Sequence, residues 1–196
     1  MANLGGHAGV FVWDLRNTNQ PVDHWHKYHD VFSLKATKSC VYVGTRKREI
    51  WPVEYHSEPY SSKKLQKFPN PHIDVVTSLA TLADDQILIS ASRDKNLKGW
   101  AAFEDPHSSS NPNISSLNVT QAHEDQIRVI QSSKGSSNLL YSGSKDGVVK
   151  VWKLNSDFQE EANLFKSANL AQVGQILPEG PNQDVNTIAA LEEDLG

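Results

Sequence analysis

A set of one histidine, one serine, one aspartate and one tryptophan occurs twice in this sequence, in the same order and at similar spacings. In serine hydrolases the first three types act together, because the histidine takes the proton of the attacking serine and the aspartate orients the histidine. The two sets are His72, Ser92, Asp94 and Trp100, and His123, Ser144, Asp146 and Trp152. The residue types alone would therefore permit hydrolase chemistry at either set.

The duplication argues against that chemistry. A catalytic triad occurs once in an enzyme and not once in every repeat of its chain. Polar side chains that recur with a repeat instead indicate a structural role, since buried polar groups are stable only when they are hydrogen-bonded. We therefore expect the chain not to be an enzyme.

The residues of the second set lie on and before a predicted β-hairpin. Residues 139–152 place two runs of strand-forming residues around a tight turn at Asp146 and Gly147. Residues 88–100 repeat the pattern, and six of thirteen positions are identical to those of residues 140–152. Self-similarity at a long, fixed period is typical of a repeat protein.

This unit, a histidine followed by a Ser-x-Asp turn and then a tryptophan, resembles the WD repeat, which corresponds to a four-stranded blade of a β-propeller. The resemblance implies an all-β fold. It also implies a hydrogen-bonded chain that runs from the tryptophan indole through serine and histidine to the turn aspartate. Ser90 and Ser142 are alternatives to Ser92 and Ser144 in this chain.

The repeats indicate that residues 1–196 form a single propeller fragment, which is made of successive blades. We expect the tail of a blade at residues 1–28, a degenerate blade at 29–71, two regular blades at 72–122 and 123–181, and the start of a further blade at 182–196. In the degenerate blade Thr45 stands where the repeat has aspartate before Trp51. Pro52 is expected to end that strand, because proline cannot donate to a sheet ladder. The segment that opens at Ser156 predicts either a short helix ended by Gly174 or an irregular loop before an outer strand at residues 171–177.

Three blades with a partial blade at each end do not make the usual ring. Seven blades of about 40 residues would need about 280 residues, more than the 196 present. The chain is then either an incomplete arc or a four-bladed ring closed by its terminal fragments. We favour the incomplete arc.

Composition excludes several functions. The net charge of −4 gives no reason to expect nucleic acid or an anionic membrane as a partner. His24, His26 and His29 lack the further ligands that a zinc site needs, and no phosphate-binding loop motif occurs, so we expect no metal, cofactor or small-molecule substrate. Cys40 is the single cysteine, and no signal peptide or long apolar run is present, which predicts a cytoplasmic protein.

The resemblance to WD repeats implies a scaffold or adaptor that binds other proteins through the loop face carrying the turn aspartates. The residues expected to point toward a partner are Arg93, Lys145, Asp74 and Asp125. The basic runs at residues 46–48 and 63–67 predict either a solvated edge or contact with an acidic protein surface.

A closer resemblance involves residues 70–190. The segments at 71–76, 90–100, 121–125, 171–176 and 184–188 are similar to successive blades in the tail propeller of microtubule-regulating kinesins. This resemblance implies, as the alternative function, a kinesin tail that contributes to microtubule or tubulin binding, cargo binding or autoinhibition, with a cytoskeletal location.

Overall fold

The structure is a computed structural model that describes residues 9–16, 18–25, 30–38, 40–57, 60–69, 71–102, 117–133, 138–155, 169–177 and 184–188. These residues contain fourteen β-strands. They include no helix with the length and apolar character needed to cross a membrane.

The strands form three four-stranded antiparallel sheets and one two-stranded sheet. The two-stranded sheet pairs β1 (Val10–Val12) with β2 (Asp23–Trp25). The first blade contains β3 (Val31–Ala36), β4 (Cys40–Thr45), β5 (Ile50–Ser57) and β6 (Tyr60–Lys64). The second contains β7 (Val76–Leu82), β8 (Ile87–Ser92), β9 (Leu97–Ala101) and β10 (Leu117–Val119). The third contains β11 (Ile127–Ser132), β12 (Leu139–Ser144), β13 (Val149–Asn155) and β14 (Asn169–Ile176).

The blades stack face to face around their inner strands, since β7 contacts both β3 and β11. β8 is buried along its whole length because a blade packs on each side of it, and its apolar residues Ile87, Leu88, Ile89 and Ala91 are divided between the two cores. Phe68 of the first blade packs on Trp100 of the second, with 5.0 Å between ring centroids. The predicted all-β, WD-type propeller arc is confirmed by this arrangement.

The two-stranded sheet covers only part of the first blade. Its residues Val10 and Trp25 pack against Val43 and Val53 of the first blade. Leu34, which pairs with Val43 across β3 and β4, remains 50% exposed. The covering sheet therefore shields the middle of the blade better than its inner strand.

The prediction that Pro52 ends its strand is wrong, because β5 continues through Pro52 to Ser57. Pro52 pairs with Tyr42 on one side, and its carbonyl accepts from the Leu65 amide at 3.0 Å on the other. In an antiparallel strand the nitrogen and oxygen of one residue face the same neighbour. The nitrogen of Pro52, which cannot donate, therefore points toward Leu65, just beyond the end of β6. No further hydrogen bond of the β5–β6 ladder is lost there.

The predicted outer strand of the third blade is present as β14, in which Gly174 pairs with Val151. Gly174 therefore does not end a helix, and residues 156–168 lie outside the described residues. Of the expected further blade, only residues 184–188 are described. The Val185 amide donates to the Ser144 carbonyl at 3.0 Å, and its side chain lies so close to Gly143 that a methyl group there would clash.

Candidate functional site

The polar residues of the second blade form one continuous hydrogen-bonded chain, which we call the second-blade relay. The Trp100 indole donates to Ser90 Oγ at 2.9 Å, and Ser90 Oγ lies 2.8 Å from His72 Nε2. His72 Nδ1 lies 2.9 Å from Asp94 Oδ2. The complementary assignment has Ser90 donating to Nε2 and the Nδ1–H of His72 donating to the carboxylate. The relay therefore connects β8, β9, their hairpin turn and the segment before β7.

The third blade repeats this geometry as the third-blade relay. Trp152 donates to Ser142 Oγ at 2.8 Å, and Ser142 Oγ lies 2.7 Å from His123 Nε2. His123 Nδ1 lies 3.2 Å from Asp146 Oδ2. The same atoms thus meet in the same order in both blades.

The assignment of Ser92 and Ser144 to the relays is wrong. Trp100 pairs with Leu88, so Ser90 is the diagonal neighbour of the indole, while Ser92 lies two residues further along the strand. Ser92 Oγ instead accepts from the Asp94 amide at 3.1 Å, and Ser144 Oγ accepts from the Asp146 amide at 3.2 Å. These two serines therefore shape the turns and not the relays.

Each turn aspartate also holds the backbone around it. Asp94 accepts from the amides of Ile73 at 3.1 Å and Asn96 at 3.0 Å. Burial raises the pKa of Asp94, but the hydrogen bond and charge of His72 and the two amides outweigh burial, and the pKa lies below its ordinary value. The pKa of Asp146 also lies below its ordinary value. Burial raises this pKa, but the hydrogen bond from the Val148 amide and the charge and hydrogen bond of His123 outweigh burial. Both carboxylates are therefore held in the ionised form.

The first blade has no such relay at the equivalent positions among its described residues. All three hairpins have a five-residue loop, between the pairs Gly44–Ile50, Ala91–Leu97 and Gly143–Val149. Counted from this loop, Val43 and Val53 occupy the positions of the relay serine and tryptophan, and both are buried.

Trp51 is therefore not the equivalent of Trp100. It lies two residues nearer the turn, at the position of Lys98, and donates to Glu49 Oε2 at 3.1 Å. Lys67 Nζ lies 2.8 Å from Glu49 Oε1 and above the Trp51 ring. The first blade thus replaces a buried polar relay with valines and places its tryptophan in a half-exposed ion-pair cluster.

The predicted partner-binding residues lie at one end of the arc. We call this end the turn face; it comprises the turns 45–49, 92–96 and 144–148 and the segments 71–75 and 120–126 that precede β7 and β11. Lys145 Nζ lies 4.0 Å from Asp125 Oδ2, so these two side chains lie together. Arg93 and Asp74, the equivalent residues of the second blade, do not form such a pair. The Arg93 guanidinium instead lies over the Phe32 ring, 5.6 Å from its centre. Asp74 instead accepts from the Val75 amide at 2.6 Å.

Within the described ranges, no three His, Cys, Asp or Glu side chains are placed to share a metal ion. His24 stacks on Phe11 with 3.8 Å between ring centroids. His26 and His29 lie outside the described residues.

Sequence comparison identifies the same repeats. The family model described as WD domain, G-beta repeat matches residues 62–101 and 114–153. The first match runs from the outer strand of the first blade to β9, and the second ends in β13 after including β10. Each repeat therefore begins with the outer strand of one blade and continues into the next. The chain therefore contains two WD repeats within an all-β fold of the propeller type.

Solved structures of Sqt1 share this fold. Sqt1 of Saccharomyces cerevisiae is 14% identical with a TM-score of 0.61, over 81% of this chain and 38% of that chain. Sqt1 of Chaetomium thermophilum is 13% identical with a TM-score of 0.63, over 87% and 41%. The same protein bound to the N-terminus of the ribosomal protein L10 is 12% identical with a TM-score of 0.62, over 85% and 42%. This chain spans about two fifths of those structures, and the likeness shows the fold alone.

Proposed function

We propose that this chain is a non-enzymatic scaffold that binds protein partners through its turn face. The observation that carries the proposal is that the residues resembling a triad are enclosed. Ser90 and Ser142 are each 0% exposed, and each hydroxyl already accepts from a tryptophan indole. A nucleophile must reach a substrate atom, so neither serine is available for attack.

The turn face, in contrast, carries charged side chains at the surface of a rigid scaffold. Arg46, Lys47, Arg48, Lys95 and Glu124 are exposed there, and the relays fix the backbone from which Lys95 and Glu124 project. Binding residues are frequent on loops positioned by such a scaffold. The structure of a similar fold, Sqt1 bound to the N-terminus of ribosomal protein L10, supports a polypeptide segment as the class of ligand. The proposal includes no cofactor and a cytoplasmic location.

The test compares two charge-reversal pairs in an affinity capture from cell extract, with chemical crosslinking before isolation. The turn-face variant is Arg93→Glu with Lys145→Glu. The matched control is Lys38→Glu with Lys153→Glu, because both lysines are exposed and lie away from the turns of the turn face. We expect the turn-face variant to lose specific protein partners that the control retains. Equal recovery with both variants would contradict binding through this face.

The kinesin-tail function stays a prediction, and none of the relatives named above is a kinesin. Its direct test is co-sedimentation of the purified chain with polymerised microtubules. Binding that saturates and that the turn-face variant abolishes would favour this function over a general scaffold. No enrichment in the microtubule pellet would argue against it.

A further inference from the structure

The cations of the turn face are distributed unequally between the blades. On the third-blade side, Lys145 of the turn face lies 4.0 Å from Asp125, and just beyond the turn face Arg128 of β11 lies 3.6 Å from Asp184. On the side of the first two blades, four further cations form no ion pair with any described carboxylate. These four, which we call the basic corner, are Arg46, Lys47, Arg48 and Arg93.

Arg93 is the most constrained member of the basic corner. Its backbone amide donates to the Val75 carbonyl at 3.2 Å, which fixes the start of the side chain. Its guanidinium lies over the Phe32 ring, and its Nε is buried without a hydrogen-bond partner in the described part of the chain. Arg93 as a whole is only half-buried, and a charge-assisted hydrogen bond from its guanidinium to a ligand carboxylate would gain free energy.

Two exposed apolar side chains border these cations. Phe32 is 45% exposed and Ile73 is 79% exposed. Arg48 donates to the Ile73 carbonyl at 3.3 Å, which keeps the turn after β4 beside the segment before β7. The basic corner thus combines positive charge with apolar surface across the junction of the first two blades.

We infer that the basic corner binds an acidic polypeptide segment that also carries apolar side chains. This inference rests on the proposed function and names the chemistry of its partner. A carboxylate can bind Arg93 in the fork geometry that guanidinium groups favour, while an apolar side chain packs on Phe32 or Ile73. Asp30 and Asp74 also lie on this side, and their negative charge opposes a phosphate backbone, with a charge on every nucleotide, more than a peptide whose carboxylates are separated by apolar residues.

The experiment measures fluorescence anisotropy with the whole chain and a labelled peptide in which glutamates alternate with phenylalanine and leucine. A peptide with lysines in place of the glutamates and a single-stranded oligonucleotide of equal charge are the other two probes. We expect binding of the glutamate peptide only, weakening as salt rises because exposed charges are screened. Arg93→Glu should weaken binding about tenfold or more, since it removes a partly buried cation.

Three variants make the result specific. Arg46→Glu, on an exposed turn, and Phe32→Ala should each weaken binding several-fold, and Arg46→Glu keeps the test valid if Arg93→Glu does not fold. Lys145→Glu is the comparison within the turn face: Lys145 is the equivalent of Arg93 in the third blade, but it lies near Asp125, so its replacement should weaken binding less than Arg93→Glu does.

The inference is overturned if the glutamate peptide does not bind, if the oligonucleotide or the lysine peptide binds equally well, or if Lys145→Glu weakens binding as much as Arg93→Glu. If the peptide fails while captured proteins still depend on Arg93 and Lys145, the partner is not acidic and the proposed scaffold function stands. If capture is also independent of these residues, the proposed function fails as well.

Discussion

The first blade and the second blade have the same strand order and the same hairpin loop length, but different interiors. The second blade buries a serine, a histidine and a tryptophan in one hydrogen-bonded relay, whereas the first buries Val43 and Val53 at the equivalent positions. A four-stranded blade therefore does not need the relay in order to form. This agrees with the general finding that buried polar groups are weak evidence for net stability.

What the relay adds is control of the backbone on the turn face. Through Asp94 it holds the Ile73 amide, and through Asp146 it holds the Glu124 amide. In the first blade the described residues make this connection through the backbone hydrogen bond from the Arg46 amide to the Asp30 carbonyl at 2.9 Å, which the other two blades also have, from Arg93 to Val75 and from Lys145 to Gln126. The relays thus fix the segments that carry Asp74 and Asp125, while the first blade presents its cations on a less restrained turn.

The largest expected effect comes from removing a turn aspartate. Asp94→Ala should lower the free energy of unfolding by about 3 kcal/mol, because it leaves His72 and two backbone amides without their acceptor. Lys47→Ala, at the equivalent position of the first blade, should change it by less than about 0.5 kcal/mol. Urea unfolding followed by tryptophan fluorescence measures both. Equal losses of unfolding free energy in the two variants would contradict the claim that only the second-blade turn is held by its third residue.

An exchange of interior residues between the blades should give the next largest effect. Ser90→Val leaves the Trp100 indole and His72 Nε2 unpaired and should cost about 2 kcal/mol. Val43→Ser buries a hydroxyl among apolar neighbours and should cost about 2 kcal/mol as well. Thermal unfolding of the two single variants tests this. A neutral result for either would mean that its blade tolerates the interior of the other.

At the fourth position of the hairpin loop, the third blade has a glycine where the first two blades have a basic residue. The fourth position of each hairpin loop has a positive φ: 66° at Arg48, 70° at Lys95 and 79° at Gly147. Gly147→Ala should therefore cost about 1 kcal/mol, since only glycine adopts this conformation freely. Gly174→Ala is the control, because a methyl group there would meet Val151 at an ordinary 3.8 Å. Chemical denaturation that ranks the two variants in the opposite order would contradict the assigned turn geometry.

The smallest expected effect is a pH dependence near neutrality. Burial lowers the pKa of His123 below its ordinary value of about 6.5, and the attraction of Asp146 only partly opposes this. The unfolded chain therefore takes up a proton before the folded chain does as the pH falls. The contribution of neutral His123 to the free energy of unfolding is fully present above about pH 6.5. It is lost as the pH falls from there through the pKa of His123 in the folded chain. His123→Gln should show a flatter pH profile of the unfolding free energy between about pH 7 and 5, and an unchanged slope would count against the assignment.

Sequence reasoning predicted the blades and most of each relay, because the hairpin turns, histidines and aspartates recur at readable spacings. It could not choose between Ser90 and Ser92, since both are buried on the same strand face and only the pairing of Leu88 with Trp100 decides. Pro52 was misjudged for a similar reason: its tolerance depends on where β6 ends.

An alignment of the first blade on its tryptophan places Trp51 at the position of Trp100, which is wrong. Counting from the hairpin loop instead would have identified Val43 and Val53 as the equivalents of the relay serine and tryptophan. The position of Arg93 over the Phe32 ring has no sequence signal, because the two residues belong to different blades.

The central claim is that the two relays are closed, buried structural chains, and the exchange of the indole N–H protons tests it most directly. Trp100 and Trp152 are 2% and 4% exposed and donate to buried serines, whereas Trp51 donates to Glu49 in a half-exposed cluster. In NMR spectra recorded after transfer to heavy water, the indole signals of Trp100 and Trp152 should persist long after that of Trp51 has vanished. Relay signals that vanish as fast as that of Trp51 would contradict the account.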